Sequence, residues 1–189
     1  MPALRPFPFP SLSIGTDIAH IPRIARLVAS QRTLPRFLRK VLTSREEREF
    51  HIRFSKSGYA NAGSDSEIGG EARDSRWVDE AARFLAGRWA AKEAIVKACS
   101  WRSLTFDEIQ IRKETGSKRI YGVILDKPEV RRTMRNMHTE QDVRSNDEES
   151  EYVGDQGNDD PAGQVVKISI SHDGEYATAV CMAAEEPTT

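Results

Sequence analysis

Cysteine is nearly absent: the 189 residues hold two, Cys99 and Cys181. Both sit in apolar company and neither has metal-ligand spacing. That excludes a disulfide framework and a cysteine-zinc module, and leaves buried thiols in a reducing, intracellular compartment. Long apolar runs are also missing, so no membrane span is expected. Overall charge is close to balanced at −1, which argues against a general grip on nucleic acid or another polyanion. Pro2, Pro6, Pro8 and Pro10 surround a single Arg5 at the start of the chain. This resembles neither a secretory signal nor an amphipathic transit helix. Cytoplasm and mitochondrion both stay open.

Charge is balanced only in total. From Ile18 to Arg45 there are seven Arg or Lys and no acid, and from Glu140 to Asp160 nine acids and one Arg. Blocks of one sign are interaction surfaces or solvated faces. The chain has the length of one domain with a real core.

Hydrophobic patterning predicts a strand over Leu12–Asp17, with Ser13, Gly15 and Asp17 on a small-residue face that a ligand can approach. A helix follows over Ile21–Ser30, with Pro22 in its first turn. A further turn or two is expected over Leu34–Lys40, and a helix capped by Thr43 or Ser44 runs to about Phe54. The longest helix is expected over Val78–Ser100. Strands are expected over Phe106–Lys113 and Lys118–Leu125, turning at Thr115-Gly116. Two more, Val165–Ser171 and Tyr176–Met182, are joined by the hairpin signal Asp173-Gly174. Residues 55–76 and 126–163 are polar and read as insertions, the second with a helix near Glu129–Met137. Helices early and strands late predict α+β, an antiparallel sheet on a long central helix. The domain is expected to span residues 12–184, with a short extension over 1–11.

Two stretches carry candidate chemistry. Ser13-Ile-Gly-Thr-Asp-Ile18 sets a carboxylate just past a short apolar strand. Arg88-Trp-Ala-Ala-Lys-Glu-Ala94, continuing to Lys97, sets Glu93 on an alanine-rich helix among cations. Two carboxylates suit a hard divalent cation, and neighbouring cations suit phosphates. Each residue also has a plainer reading. Asp17 accepts backbone N–H groups at a strand end, Glu93 and Lys97 form an i,i+4 pair, and His172, in Ile168-Ser-Ile-Ser-His-Asp-Gly174, is a turn residue. Arg88 and Lys92 share one face of the helix, while Glu93 and Lys97 lie roughly 140° away. No single compact ligand touches all four from one side.

Three elements in order, Gly15-Thr-Asp-Ile-Ala-His-Ile-Pro-Arg-Ile24, the Arg88–Lys97 helix and Ser169-Ile-Ser-His-Asp-Gly174, resemble the holo-[acyl-carrier-protein] synthases, small 4'-phosphopantetheinyl transferases. The resemblance covers roughly residues 12–54, 78–125 and 165–183. It implies a single-module transferase fold, and transfer of the phosphopantetheine arm of coenzyme A to a serine of an apo-acyl carrier protein, with release of adenosine 3',5'-bisphosphate. It implies Mg²⁺ held by Asp17 and Glu93, with Glu93 and Lys97 in catalysis. Arg88, Lys92, Lys97 and His172 would bind coenzyme A, and Arg23 and Arg26 the acidic carrier. It also implies a homotrimer whose sites lie between subunits, which would use both faces of the helix. The rival readings are a non-catalytic coenzyme A or nucleotide-binding regulatory protein, which does not need both carboxylates, and an adaptor for acidic proteins, which needs only the basic stretch.

Overall fold

The computed structural model describes residues 12–54, 74–117, 119–126 and 162–185. Alternation of side chains produces strand β1 (Leu12–His20), with Leu12, Ile14 and Ile18 outward and Gly15 and Ala19 buried. The strand runs three residues past Asp17 because its pairing with the last strand continues to His20↔Tyr176. Helix α1 (Ile21–Ala29) follows at once, with Pro22 where a missing N–H costs nothing. It buries Ile21, Ile24 and Val28, a single stripe. Helices α2 (Leu34–Val41) and α3 (Ser44–Phe54) come next.

Helix α4 (Ser75–Ala98) starts three residues earlier than Val78, because the Asp74 side chain accepts the Arg76 N–H and caps it there. Its sheet-facing alanines, among them Ala91, Ala94 and Ala98, are fully buried. Phe106–Glu108 is a 3-10 turn instead of the start of a strand. Glu108 accepts the Thr105 N–H at 2.8 Å, and this box winds the chain before β2 begins.

Strands β2 (Ile109–Lys113), β3 (Ile120–Leu125), β4 (Gly163–Asp173) and β5 (Tyr176–Ala184) complete one sheet, ordered β1-β5-β4-β3-β2. Every neighbouring pair is antiparallel. At the β4–β5 hairpin Asp173 still pairs with Tyr176, so the two turn residues are Gly174 and Glu175. Gly174 has φ 52°, which a glycine adopts without strain. The expected α+β class, with an antiparallel sheet on one long helix, is what forms.

α4 lies across one face of the sheet. The opposite face, where β1, β5 and β4 adjoin, exposes Ile14 (65%), Ile18, Val165 (64%), Tyr176, Val180 and Met182. The expected helix over 129–137 and nearly all of both polar insertions lie outside the described residues. Both cysteines are buried, and burial pushes their thiols up to about 11 for Cys99 and about 12 for Cys181. They are not nucleophiles at neutral pH.

Candidate active site

The site begins with a glycine. Gly15 lies on the face of β1 that meets α4, and a Cβ there would overlap the Ala94 carbonyl oxygen and the Ala98 amide nitrogen. Only a bare backbone admits this approach. It brings Asp17, two residues on, beside Lys97. Lys97 Nζ donates to Asp17 Oδ1 at 2.8 Å and to the Thr16 carbonyl at 3.0 Å. The Asp17 side chain is 15% exposed and that of Lys97 53%, so the pair opens to solvent.

Glu93 is half-buried on the same flank of α4, one turn before Lys97. The hydrogen bond to Asp17, together with the charges of Asp17 and Glu93, holds the Lys97 ammonium above the usual lysine value against the desolvation that lowers it. Glu93 is engaged by no hydrogen-bond donor among the described residues. No cluster of three or more His, Cys, Asp or Glu forms among them. Two carboxylate groups with an ammonium drawn to them make a place that favours a compact cation. Mg²⁺ suits that donor set, since it commonly takes one or two carboxylates and fills its other positions with phosphate oxygens and water.

His172 continues the inward face of β4 beyond Ile168 and Ile170. Its Nε2 donates to the Arg83 carbonyl at 3.0 Å, which leaves Nδ1 for a ligand. The ring lies over Gly87, where a Cβ would come within 3.2 Å of it. Gly87 and Lys97 are ten residues apart, roughly 15 Å along the helix. A ligand reaching both must be extended.

Arg88 and Lys92 occupy the other flank, as the helix angle requires, but they do not face a ligand surface in this protomer. Lys92 is 0% exposed. Its Nζ donates to Glu46 Oε2 at 2.6 Å and to the Phe106 carbonyl at 2.9 Å. Burial lowers its basicity, and the charge and hydrogen bond of Glu46 oppose that. Arg88 donates to the Ile111 carbonyl and stands 3.8 Å from Glu46 and 3.9 Å from Glu49. Lys92 and Arg88, both expected to bind coenzyme A, are thus drawn together into one interior network with Glu46. Sequence reasoning gave Glu46 no place in this network. Its spacing with Phe50 and Phe54 put it on the buried stripe of α3, and that was the signal for a buried partner.

Arg23 and Arg26 are exposed one turn apart on α1. The acids of α3 lie beside other groups: Glu46 against Lys92, Glu49 beside Arg45 and Arg88, and Glu47 4.0 Å from His51.

The family model of the 4'-phosphopantetheinyl transferase superfamily matches residues 13–181. The chain belongs to this family. It is 33% identical over 184 residues to a 4'-phosphopantetheinyl transferase B, mitochondrial, of Aspergillus fumigatus, covering 96% of this chain and 98% of that one. It is 28% identical over 173 residues to a holo-[acyl-carrier-protein] synthase of Corynebacterium efficiens, covering 90% and 92%. The crystal structure of holo-ACP-synthase from Plasmodium yoelii superposes with TM-score 0.53 at 18% identity, over 92% of this chain and 94% of that one. That likeness carries the transferase fold. Both sequence motifs that meet at Gly15 lie inside the span matched by the family.

Proposed function

We propose that the protein transfers the 4'-phosphopantetheine group of coenzyme A to a serine hydroxyl of an apo-acyl carrier protein, with Mg²⁺, and releases adenosine 3',5'-bisphosphate. Family membership supports the reaction class. The observation that carries the reading for this chain is the meeting of Asp17 and Lys97, from motifs 80 residues apart, at 2.8 Å beside Glu93. In this reading Asp17 and Glu93 hold Mg²⁺, which when bound neutralises charge on the diphosphate and on the leaving bisphosphate. Lys97 turns from Asp17 to the phosphate oxygens, a small movement for an exposed, flexible cation. The serine proton passes to Glu93 or to a water that Glu93 orients. His172 offers Nδ1 to a more distant part of the extended coenzyme A. Lys92 is left out of the ligand set because it has no exposed surface.

The test is direct. The protein is incubated with coenzyme A, Mg²⁺ and an apo-carrier, and the carrier is weighed. A gain of one phosphopantetheine is expected. Bound coenzyme A without any gain on several carriers would instead make this a non-catalytic coenzyme A-binding protein.

Arg23 and Arg26 are the proposed carrier contacts. Charge reversal at both (Arg23→Glu with Arg26→Glu) is expected to raise the KM for carrier at least about tenfold while leaving that for coenzyme A unchanged. Equal change in both constants removes the patch from carrier docking.

A homotrimer is also part of this reading, with different support from that first expected. The two flanks of α4 no longer demand a second subunit, since Glu46 and β2 of the same chain take up Arg88 and Lys92. The support is the exposed apolar sheet face, an unusual surface for a monomer. Ile14→Asp with Val180→Asp is expected to convert a trimer in sedimentation velocity to a monomer. Wild-type protein sedimenting as a monomer at all concentrations sinks the idea. Residues 12–184 are proposed as one domain with two polar insertions. The mitochondrial name of the Aspergillus relative favours that compartment over the cytoplasm, and diffuse cytosolic fluorescence of a C-terminally tagged chain would contradict it.

A further inference from the structure

We propose that Glu46 is a positioning residue for the transfer: its buried ion pair with Lys92 helps to fix the rotation of α4, and so the placing of Glu93 relative to Asp17. Nothing in the sequence motifs assigns Glu46 a part in the reaction. Its carboxylate is 1% exposed and joins three elements. Oε2 accepts Lys92 Nζ at 2.6 Å and the Thr43 N–H at 3.0 Å, which ties α4 to the start of α3. Oε1 accepts the Ile111 N–H at 3.0 Å. β2 is an edge of the sheet, so Ile111 has no second strand to pair with. Glu46 takes its N–H and Arg88 its carbonyl.

The geometry of α4 gives this network its effect. Where it meets β1 the helix presents alanines, Ala94 and Ala98, and Ile95 reaches Gly122 of β3. These apolar contacts set how closely the helix approaches, but they make no directional bond. Directional bonds come from the flanks: Lys97 to β1 on one side, Lys92 and Arg88 to Glu46 and β2 on the other. The Lys97 bond is exposed, and the proposed chemistry breaks it. The Glu46 network is then the buried polar anchor beside Glu93, while the bonds of Trp77 to the Phe54 carbonyl and of His172 to the Arg83 carbonyl hold the helix roughly two to four turns earlier. Lys92 and Glu93 are consecutive residues, so whatever moves one ammonium moves the neighbouring carboxylate.

The inference rests on the Asp17/Glu93 metal site, and Mn²⁺ binding in the presence of coenzyme A, read by electron paramagnetic resonance, tests the two separately. Removing one member of a buried pair strands the other charge, so Glu46→Gln with Lys92→Met removes both. This variant is expected to unfold cooperatively, to bind Mn²⁺ at least tenfold more weakly and to lose kcat at least tenfold, with the KM for carrier unchanged. Glu46→Asp, which keeps the charge and shortens the arm, is expected to show the same pattern and covers the case in which the double variant does not fold. Leu125→Ala, a buried change in β3 away from α4's flanks, is expected to lower stability and leave Mn²⁺ affinity as it was. Wild type that binds no Mn²⁺ overturns the metal site itself. Wild type that binds, with a folded Glu46→Asp binding equally tightly at wild-type kcat, overturns the role of Glu46 alone.

Discussion

Asp17→Ala and Glu93→Ala are each expected to lower the rate of phosphopantetheine transfer by about 10³-fold, equivalent to about 4 kcal/mol of lost transition-state stabilisation. The protein should stay folded. Asp17 has one side-chain partner, Lys97, which is about half exposed, and a pair open to solvent on one side contributes about 1 kcal/mol. Glu93 makes no hydrogen bond among the described residues that its removal would break. The two carboxylates thus carry little of the fold, and their loss should appear in kcat and in metal dependence. Asp17→Asn sharpens the result. It keeps the size of the side chain and an acceptor for Lys97 but removes the charge, so a rate as low as that of Asp17→Ala marks the charge as the requirement. Full transfer by either alanine variant would take that residue out of the metal site.

Gly15→Ala should be nearly as damaging by another route. The added methyl meets backbone atoms of Ala94 and Ala98, and backbone cannot rotate away as a side chain can. Overpacking of this sort costs about 3 kcal/mol, or roughly 6–12 °C in Tm for a domain of this size. The displaced segment of α4 is the one that bears Lys97, and misplacement by about 1 Å can cost on the order of 10²-fold in rate. Gly87→Ala is the comparison. Its methyl would meet only the side chains of His172 and Ile170, at 3.2 and 3.3 Å, and these can give way. The expected loss is therefore small in Tm and confined to coenzyme A binding. Equal Tm values for Gly15→Ala and wild type, measured by thermal unfolding, would contradict the close approach of β1 and α4.

The order of elements was legible because hydrophobic periodicity changes cleanly from two to three or four along this chain. The small face of β1 was legible for the same reason: Ser13, Gly15 and Asp17 alternate with larger residues, and the helix that packs there needed that space. Ends were less legible. β1 reaches His20 because β5, more than 150 residues away, supplies partners that far. α4 starts at Ser75 because of a cap at Asp74 that the polar run around it disguised. The flank of α4 was read correctly as an angle, and its interior partners were not foreseen. Lys92 looks like any helical lysine until Glu46, 46 positions earlier, is known to lie against it. A local pattern cannot supply that partner. The spacing of Glu46 with Phe50 and Phe54, which share its buried stripe on α3, was the local sign of a carboxylate that needs a cation indoors, and it was not read.

The strand order has a consequence for the timing of assembly. β1 has one neighbour in the sheet, and that neighbour is β5, the last strand of the described chain. During synthesis the first motif leaves the ribosome early, and α1 to α4 can begin to gather around it. Its backbone has no strand to pair with until residues 176–184 have also emerged. At about 5–20 residues per second, Asp17 waits many seconds for the strand that holds it in register. A nascent or clipped chain that lacks residues 176–184 would therefore contain both carboxylates and still lack the strand that holds β1 in register.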